Sequence, residues 1–128
     1  MSEKNVHLAV VNYLKLQYPK VLFRSDTGAG MKLTIGQAKA QKSIQNGMKW
    51  PDIFIAEPRG EYHGLFLELK DEGVILFKKN VGVLSFASEH MTEQHKCLCN
   101  LSFKGYMALF AVGFDEAKQI IDEYMNYK

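Results

Sequence analysis

Cysteine is scarce in this chain: there are two, Cys97 and Cys99, a single residue apart. Neighbours that close rarely reach disulfide geometry, which excludes a disulfide scaffold and points to a reducing, cytoplasmic compartment. They do not make a zinc site with His90 and His95 either. Residues two apart on a helix point some 200° away from each other, so Cys97 fits a core position better. No run approaches the roughly 20 apolar residues of a membrane span. The opening residues, MSEKNVHLAV, carry charges where a signal peptide needs an apolar stretch. Gly28-Ala29-Gly30-Met31-Lys32 lacks the spacing and the final hydroxyl of a phosphate-binding loop, so no nucleotide cofactor is expected. Internal repeats and linkers are missing, and 128 residues fit one domain spanning 1–128. Net charge is also small, at +2.

The distribution of charge is more telling than its sum. Between Lys20 and Lys49 stand six basic residues (Lys20, Arg24, Lys32, Lys39, Lys42, Lys49) and one acid, Asp26. That excess suits either a phosphate backbone or a solvated loop. Val6, Ala9, Val10, Tyr13 and Leu14 recur at helical spacing, so residues 3 to 17 read as an amphipathic helix, capped by Ser2 and stopped near Pro19. Val21 to Arg24 forms a short strand, and Ser25 to Gly30 a loop. Residues 34 to 46 are either a short polar helix or a mobile segment, ended by Gly47. Asp52–Glu57 and Leu65–Lys70 are rich in β-formers and flank a turn cluster, which predicts a hairpin. Residues 71 to 86 are ambiguous, with strand-like pieces at 74–77 and 81–86. Phe77-Lys78-Lys79 reads either as a phosphate contact or as a solvated turn. A helix capped by Thr92 runs to Phe103 with Cys97, Leu98 and Leu101 inward, and Gly105 ends it. Tyr106 to Val112 reads as a buried strand, and Asp115 as the cap of a last helix with Ala117, Ile120, Ile121 and Tyr124 inward. The order predicts an α/β domain, a central mixed sheet flanked by helices.

The hairpin carries the chemistry. With its turn centred on Gly60, paired residues sum to 120, so Phe54 faces Phe66 and Asp52 faces Glu68. Carboxylates directly across a strand pair have Cβ atoms roughly 5 Å apart and repel unless something neutralises them. A divalent cation does so, and two carboxylates with water suit Mg²⁺. Glu68 and Lys70 leave the same face of their strand, and the carbonyl of Leu69 between them offers a further oxygen ligand. An ammonium beside the pair can orient a water and stabilise phosphoryl charge. Against this, Glu-x-Lys at a strand end and Pro-Asp are each common on their own.

Pro51-Asp52 followed by Glu68-Leu69-Lys70 resembles the PD-(D/E)XK nuclease signature. The flanking motifs narrow the resemblance: Arg24-Ser25-Asp26-Thr27-Gly28 after a first strand, Met91-Thr92-Glu93-Gln94, Gly105-Tyr106 opening an apolar strand, and Asp115-Glu116-Ala117 opening the last helix. Together with a helix beginning at Glu3, they look like the VRR-NUC family (virus-type replication–repair nucleases). Stand-alone members, many of them from bacteriophages, resemble four-way (Holliday) junction resolvases in fold and act as homodimers.

The resemblance implies a restriction-endonuclease-like PD-(D/E)XK core. Asp52 and Glu68 would be metal ligands, Lys70 the catalytic lysine, Glu3 the early helix glutamate at the metal, and Gln94 a catalytic glutamine. The residues themselves leave Glu3 open between a ligand at the end of an apolar stripe and a first-turn acid favoured by the helix dipole. They leave Gln94 open between that role and an exposed polar position. The chain departs from the family in having Lys49-Trp50 where a glycine usually precedes Pro-Asp, and in a long stretch from Glu72 to Ser88. The expectation is an Mg²⁺- or Mn²⁺-dependent endodeoxyribonuclease with one or two ions per site, acting on branched DNA as a homodimer. Arg24, Lys32, Lys39, Lys42 and Lys49 would grip the backbone. The alternatives are the same chemistry on flaps, nicked or single-stranded DNA, and a nucleic-acid-binding module without catalysis.

Overall fold

The computed structural model describes residues 2–26, 33–80 and 83–128. Helix α1 (Glu3–Gln17) starts where Ser2 accepts the amide of Asn5, and it buries Val6, Val10 and Leu14 along one stripe. Strand β1 (Phe23–Ser25) begins two residues later than the apolar run suggests, because Val21 is taken into a turn and its N–H donates to Tyr18 O. Helix α2 (Ile35–Ser43) resolves the open reading of the polar segment. Thr34 and Gln37 form a reciprocal capping box that holds it, although it buries no side chain.

The hairpin forms as its composition predicts. Strands β2 (Ile53–Ile55) and β3 (Leu65–Lys70) pair antiparallel with Phe54 opposite Phe66. Beyond the hairpin, a turn at residues 72–73 and an irregular stretch to residue 76 lead into two further strands. Strands β4 (Phe77–Asn80) and β5 (Val83–Phe86) make a separate two-stranded sheet, so the solvated-turn reading of Phe77-Lys78-Lys79 is corrected. Phe77 packs on Phe86, which in turn meets Phe110 and His95, and these ring contacts fix the hairpin to the body.

Helix α3 (Glu89–Phe103) starts a turn earlier than Thr92 predicts. Ser88 is the cap, its hydroxyl accepting Met91 N–H, while Thr92 donates to Ser88 O from inside the helix. Gly105 follows its last turn with φ of 96°, the left-handed conformation that favours glycine. Strand β6 (Met107–Val112) then lies parallel to β3, with Glu68 beside Phe110 and Lys70 beside Val112. Helix α4 (Phe114–Met125) is capped by Gly113 rather than Asp115. The turn out of β6 brings residue 113 so close to Glu72 that a Cβ would lie 2.9 Å from its side chain, and φ is 84°. Asp115 and Glu116 fall inside the first turn, where their charge favours the helix dipole.

The main sheet has the order β1-β2-β3-β6, antiparallel except for the last pair. A parallel neighbour needs a crossover, which the β4–β5 hairpin and α3 provide. All six residues of β3 are buried, and the pleat sends them alternately to two different environments. Leu65, Leu67 and Leu69 join Val6, Val10 and Leu14 of α1 and Ala117, Ile121 and Tyr124 of α4 in the main core. Each buried Val, Leu or Ile among them stabilises the fold by about 1.5–3 kcal/mol. Tyr13 and Tyr18 both donate to Asp122, at 2.5 and 2.7 Å, which ties α1 to α4. Phe66 faces the opposite way, onto Cys97 and Leu101 of α3. Cys97 is thus a core residue, as its helix position predicts.

Candidate active site

The site lies where β2 begins and β3 ends. Asp52 directly precedes β2, and its side chain replaces a ladder partner: Oδ2 accepts the N–H of Leu69 at 2.8 Å, while its carbonyl accepts Asp26 N–H at 2.8 Å. N–H and C=O of one residue leave an extended strand on the same side. The Leu69 carbonyl therefore faces Asp52, whereas the Lys70 carbonyl faces β6 and accepts Gly113 N–H.

Glu68 is 3% exposed, and it stands with Asp52 and Glu3 in a cluster whose ligand oxygens all lie within 4.8 Å of one another. Among the described residues this is the one group of three or more His, Cys, Asp or Glu side chains arranged to hold a metal. Glu3 reaches it from the first turn of α1, one step beyond the buried Val6. On the same strand face as Glu68, the buried Lys70 places Nζ 3.9 Å from Glu68 Oε1. Gln94 Nε2 donates to that same oxygen at 2.6 Å, and Gln94 Oε1 is buried with no hydrogen-bond partner.

The electrostatics describe a site short of positive charge. Burial, then the charge of Asp52, pushes the Glu68 carboxyl up to about 9, with Lys70 acting against them. Burial likewise raises Asp52, opposed by the Leu69 N–H, Glu68, His7 and Lys70. Hard oxygen donors, carboxylates held at elevated pKa and an unpartnered amide oxygen fit a divalent cation such as Mg²⁺ or Mn²⁺. Burying such a pair without a cation is costly.

Asp52, Glu68, Glu3 and Gln94 line a cleft of about 790 Å³, and Arg24 and Lys49 line it too. Lys39 and Lys42 do not line it and are exposed on α2; Lys32 lies outside the described residues. Gln94 is 6% exposed, which overturns the exposed alternative for it. It sits in the second turn of α3, on the stripe formed with Cys97, Leu98 and Leu101. That 94-97-98-101 spacing is a legible signal of burial. Three neighbours escaped the motif reading. His90 and Trp50 line the cleft, and His7 Nε2 pairs with Ser25 Oγ at 3.0 Å, next to the carboxylates.

A mixed sheet flanked by helices, with acids and a lysine at the end of its central hairpin, defines a restriction-endonuclease-like α/β domain. No protein-family model matches the sequence, and no curated protein matches it. A solved structure named "VRR_NUC domain protein" does: it is 26% identical, with a TM-score of 0.70, over 99% of this chain and 90% of that one. The match supports the VRR-NUC family, and with it a nuclease-type domain, for this chain. Among the described residues, no helix is long and apolar enough to cross a membrane.

Proposed function

We propose that the protein is a divalent-metal-dependent endodeoxyribonuclease that hydrolyses phosphodiester bonds in branched DNA, four-way junctions above all, as a homodimer. The observation that carries the chemistry is the meeting of Asp52, Glu68 and Glu3 within 4.8 Å, beside the buried ammonium of Lys70. Asp52 and Glu68, with Glu3 and the Leu69 carbonyl, would hold Mg²⁺ or Mn²⁺, as one ion or two. When bound, the ion supplies Lewis acidity, making water more acidic and offsetting charge on the phosphoryl group.

The chain's own residues do the rest. Gln94 fixes the rotamer of Glu68 through its 2.6 Å hydrogen bond. Lys70 orients the attacking water and stabilises the charge that builds on the phosphoryl oxygens. Arg24 and Lys49, on the wall of the cleft, hold the flanking backbone. Contacts to phosphate position DNA without reading its sequence, so selectivity comes from DNA shape. Two equivalent sites related by a two-fold axis suit a junction with two symmetric strands.

The same chemistry on flaps or single strands is the second reading, and the exposed Trp50 in the cleft favours it. The test is incubation of labelled junction, flap and plain duplex with and without Mg²⁺, beside Glu68→Gln. Mg²⁺-dependent cutting that is lost in the variant is expected, strongest on the junction. Cutting by Glu68→Gln at the wild-type rate would overturn the assignment.

A further inference from the structure

Trp50 is the chain's single tryptophan and stands two residues before Asp52. It is 49% exposed, yet it is not loose. Its indole N–H donates to Asn46 Oδ1 at 3.1 Å, and its ring leans on Phe66 with centroids 5.9 Å apart and planes at 58°. Phe66 in turn stacks on Phe54 at 4.4 Å and meets Tyr106 edge-on at 5.2 Å. Trp50 is therefore the outer member of an aromatic cluster whose inner rings are buried (Phe66) or half-buried (Phe54, Tyr106). It borders the cleft that also holds Asp52, Glu68, Arg24 and Lys49. A ring serving only to pack would gain by burying its second half.

We propose that Trp50 is a stacking platform for an unstacked nucleobase beside the phosphate being cut, so that the site selects DNA whose base stack is interrupted at that point, as at a branch point. This rests on the nuclease reading of the cleft. An indole face accepts any base, because every base has a π-face, and such stacking is tolerant of sequence. A base inside a duplex already has neighbours on both faces and cannot use the platform; a base at a branch point, in a flap or in a single strand can. Arg24 and Lys49 supply the cations that a phosphate on either side of that base requires. The basic wall draws the polyanion, which brings its base to the ring.

Because Trp50 is the sole tryptophan, its fluorescence has one source. The experiment titrates metal-free protein with three labelled DNAs of one sequence: a single strand, a fork with unpaired arms, and a blunt duplex. Tryptophan emission and DNA anisotropy are followed together. Single strand and fork should quench the emission as they bind, and the duplex should bind without comparable quenching. Trp50→Ala should weaken single-strand and fork binding about 5- to 100-fold, leaving the duplex within about twofold, and Trp50→Phe should restore most of the loss. Binding of the single strand without quenching overturns the platform alone, as does a Trp50→Ala defect equal on all three DNAs. Failure of every DNA to bind overturns the nuclease reading together with it.

Discussion

On one face of β3, Leu65, Leu67 and Leu69 meet the apolar stripes of α1 and α4; on the other, Glu68 is also buried but borders the cleft with Asp52 and Gln94, and the buried Lys70 stands beside it. One run of six residues thus serves two opposed purposes, and the two-residue period of a strand makes that possible. The leucine face contributes stability through area removed from water. The charged face works against stability, since its carboxylates are forced together in a poorly solvated place. The difference teaches where function resides: in the side chains whose burial is unfavourable without a ligand.

Substitutions on the two faces should separate cleanly. Lys70→Met keeps the volume and removes the charge, so cleavage is expected to fall about 10²- to 10³-fold. Its melting temperature should fall less than that of Leu67→Ala, because Glu68 can keep its proton once the counter-charge is gone; a larger fall would break the contrast. Leu67→Ala, from the opposite face, should cost about 2–5 kcal/mol in denaturant unfolding, with cleavage per folded molecule close to wild type. Gln94→Ala should lower metal affinity or cleavage about 10- to 100-fold, because it acts through the orientation of Glu68; unchanged metal affinity together with unchanged cleavage would remove its role.

A pH trend follows from the same burial. The folded, metal-free chain keeps the Glu68 proton up to about 9, whereas the ordinary glutamate value is 4.5. Between those values the folded state binds more protons than the unfolded one, so stability falls as pH rises across that window. Melting curves in chelator from pH 5 to 9 should show this decline, and Glu68→Gln should flatten it. A decline that survives in Glu68→Gln would place its source elsewhere.

The strand run LFLELK and the Pro-Asp pair were legible because a hairpin register follows from counting: Phe54 against Phe66 is the pairing found, and it carries Asp52 to Glu68. The stripes of α1, α3 and α4 were legible through helical spacing for the same local reason. Helix starts were less so. Ser88 and Gly113 act as caps because of where the preceding strands deliver the chain, which residue type alone does not encode. The β4–β5 pair was half legible: the strand-like piece at 81–86 holds β5, whereas β4 starts where the piece at 74–77 ends, because its support is tertiary, through Phe77, Phe86, His95 and Phe110. In the site, the place of Glu3 on the α1 stripe left a ligand role as one of two readings, and the structure brings it together with the acids. The nearness of His7, His90 and Trp50 did not, since each depends on how whole elements pack. The basic run from Lys20 to Lys49 was legible as charge but not as geometry: Arg24 and Lys49 reach the cleft while Lys39 and Lys42 do not line it.

The most direct measurement is calorimetric titration of Mn²⁺ into the protein without DNA, in two buffers of different ionisation heat, for wild type and Asp52→Asn. Wild type should bind the ion and release protons as the raised carboxyls give them up, and the variant should lose most of that binding. Wild-type affinity in Asp52→Asn, or no binding to the wild type at millimolar Mn²⁺, would contradict the shared carboxylate site.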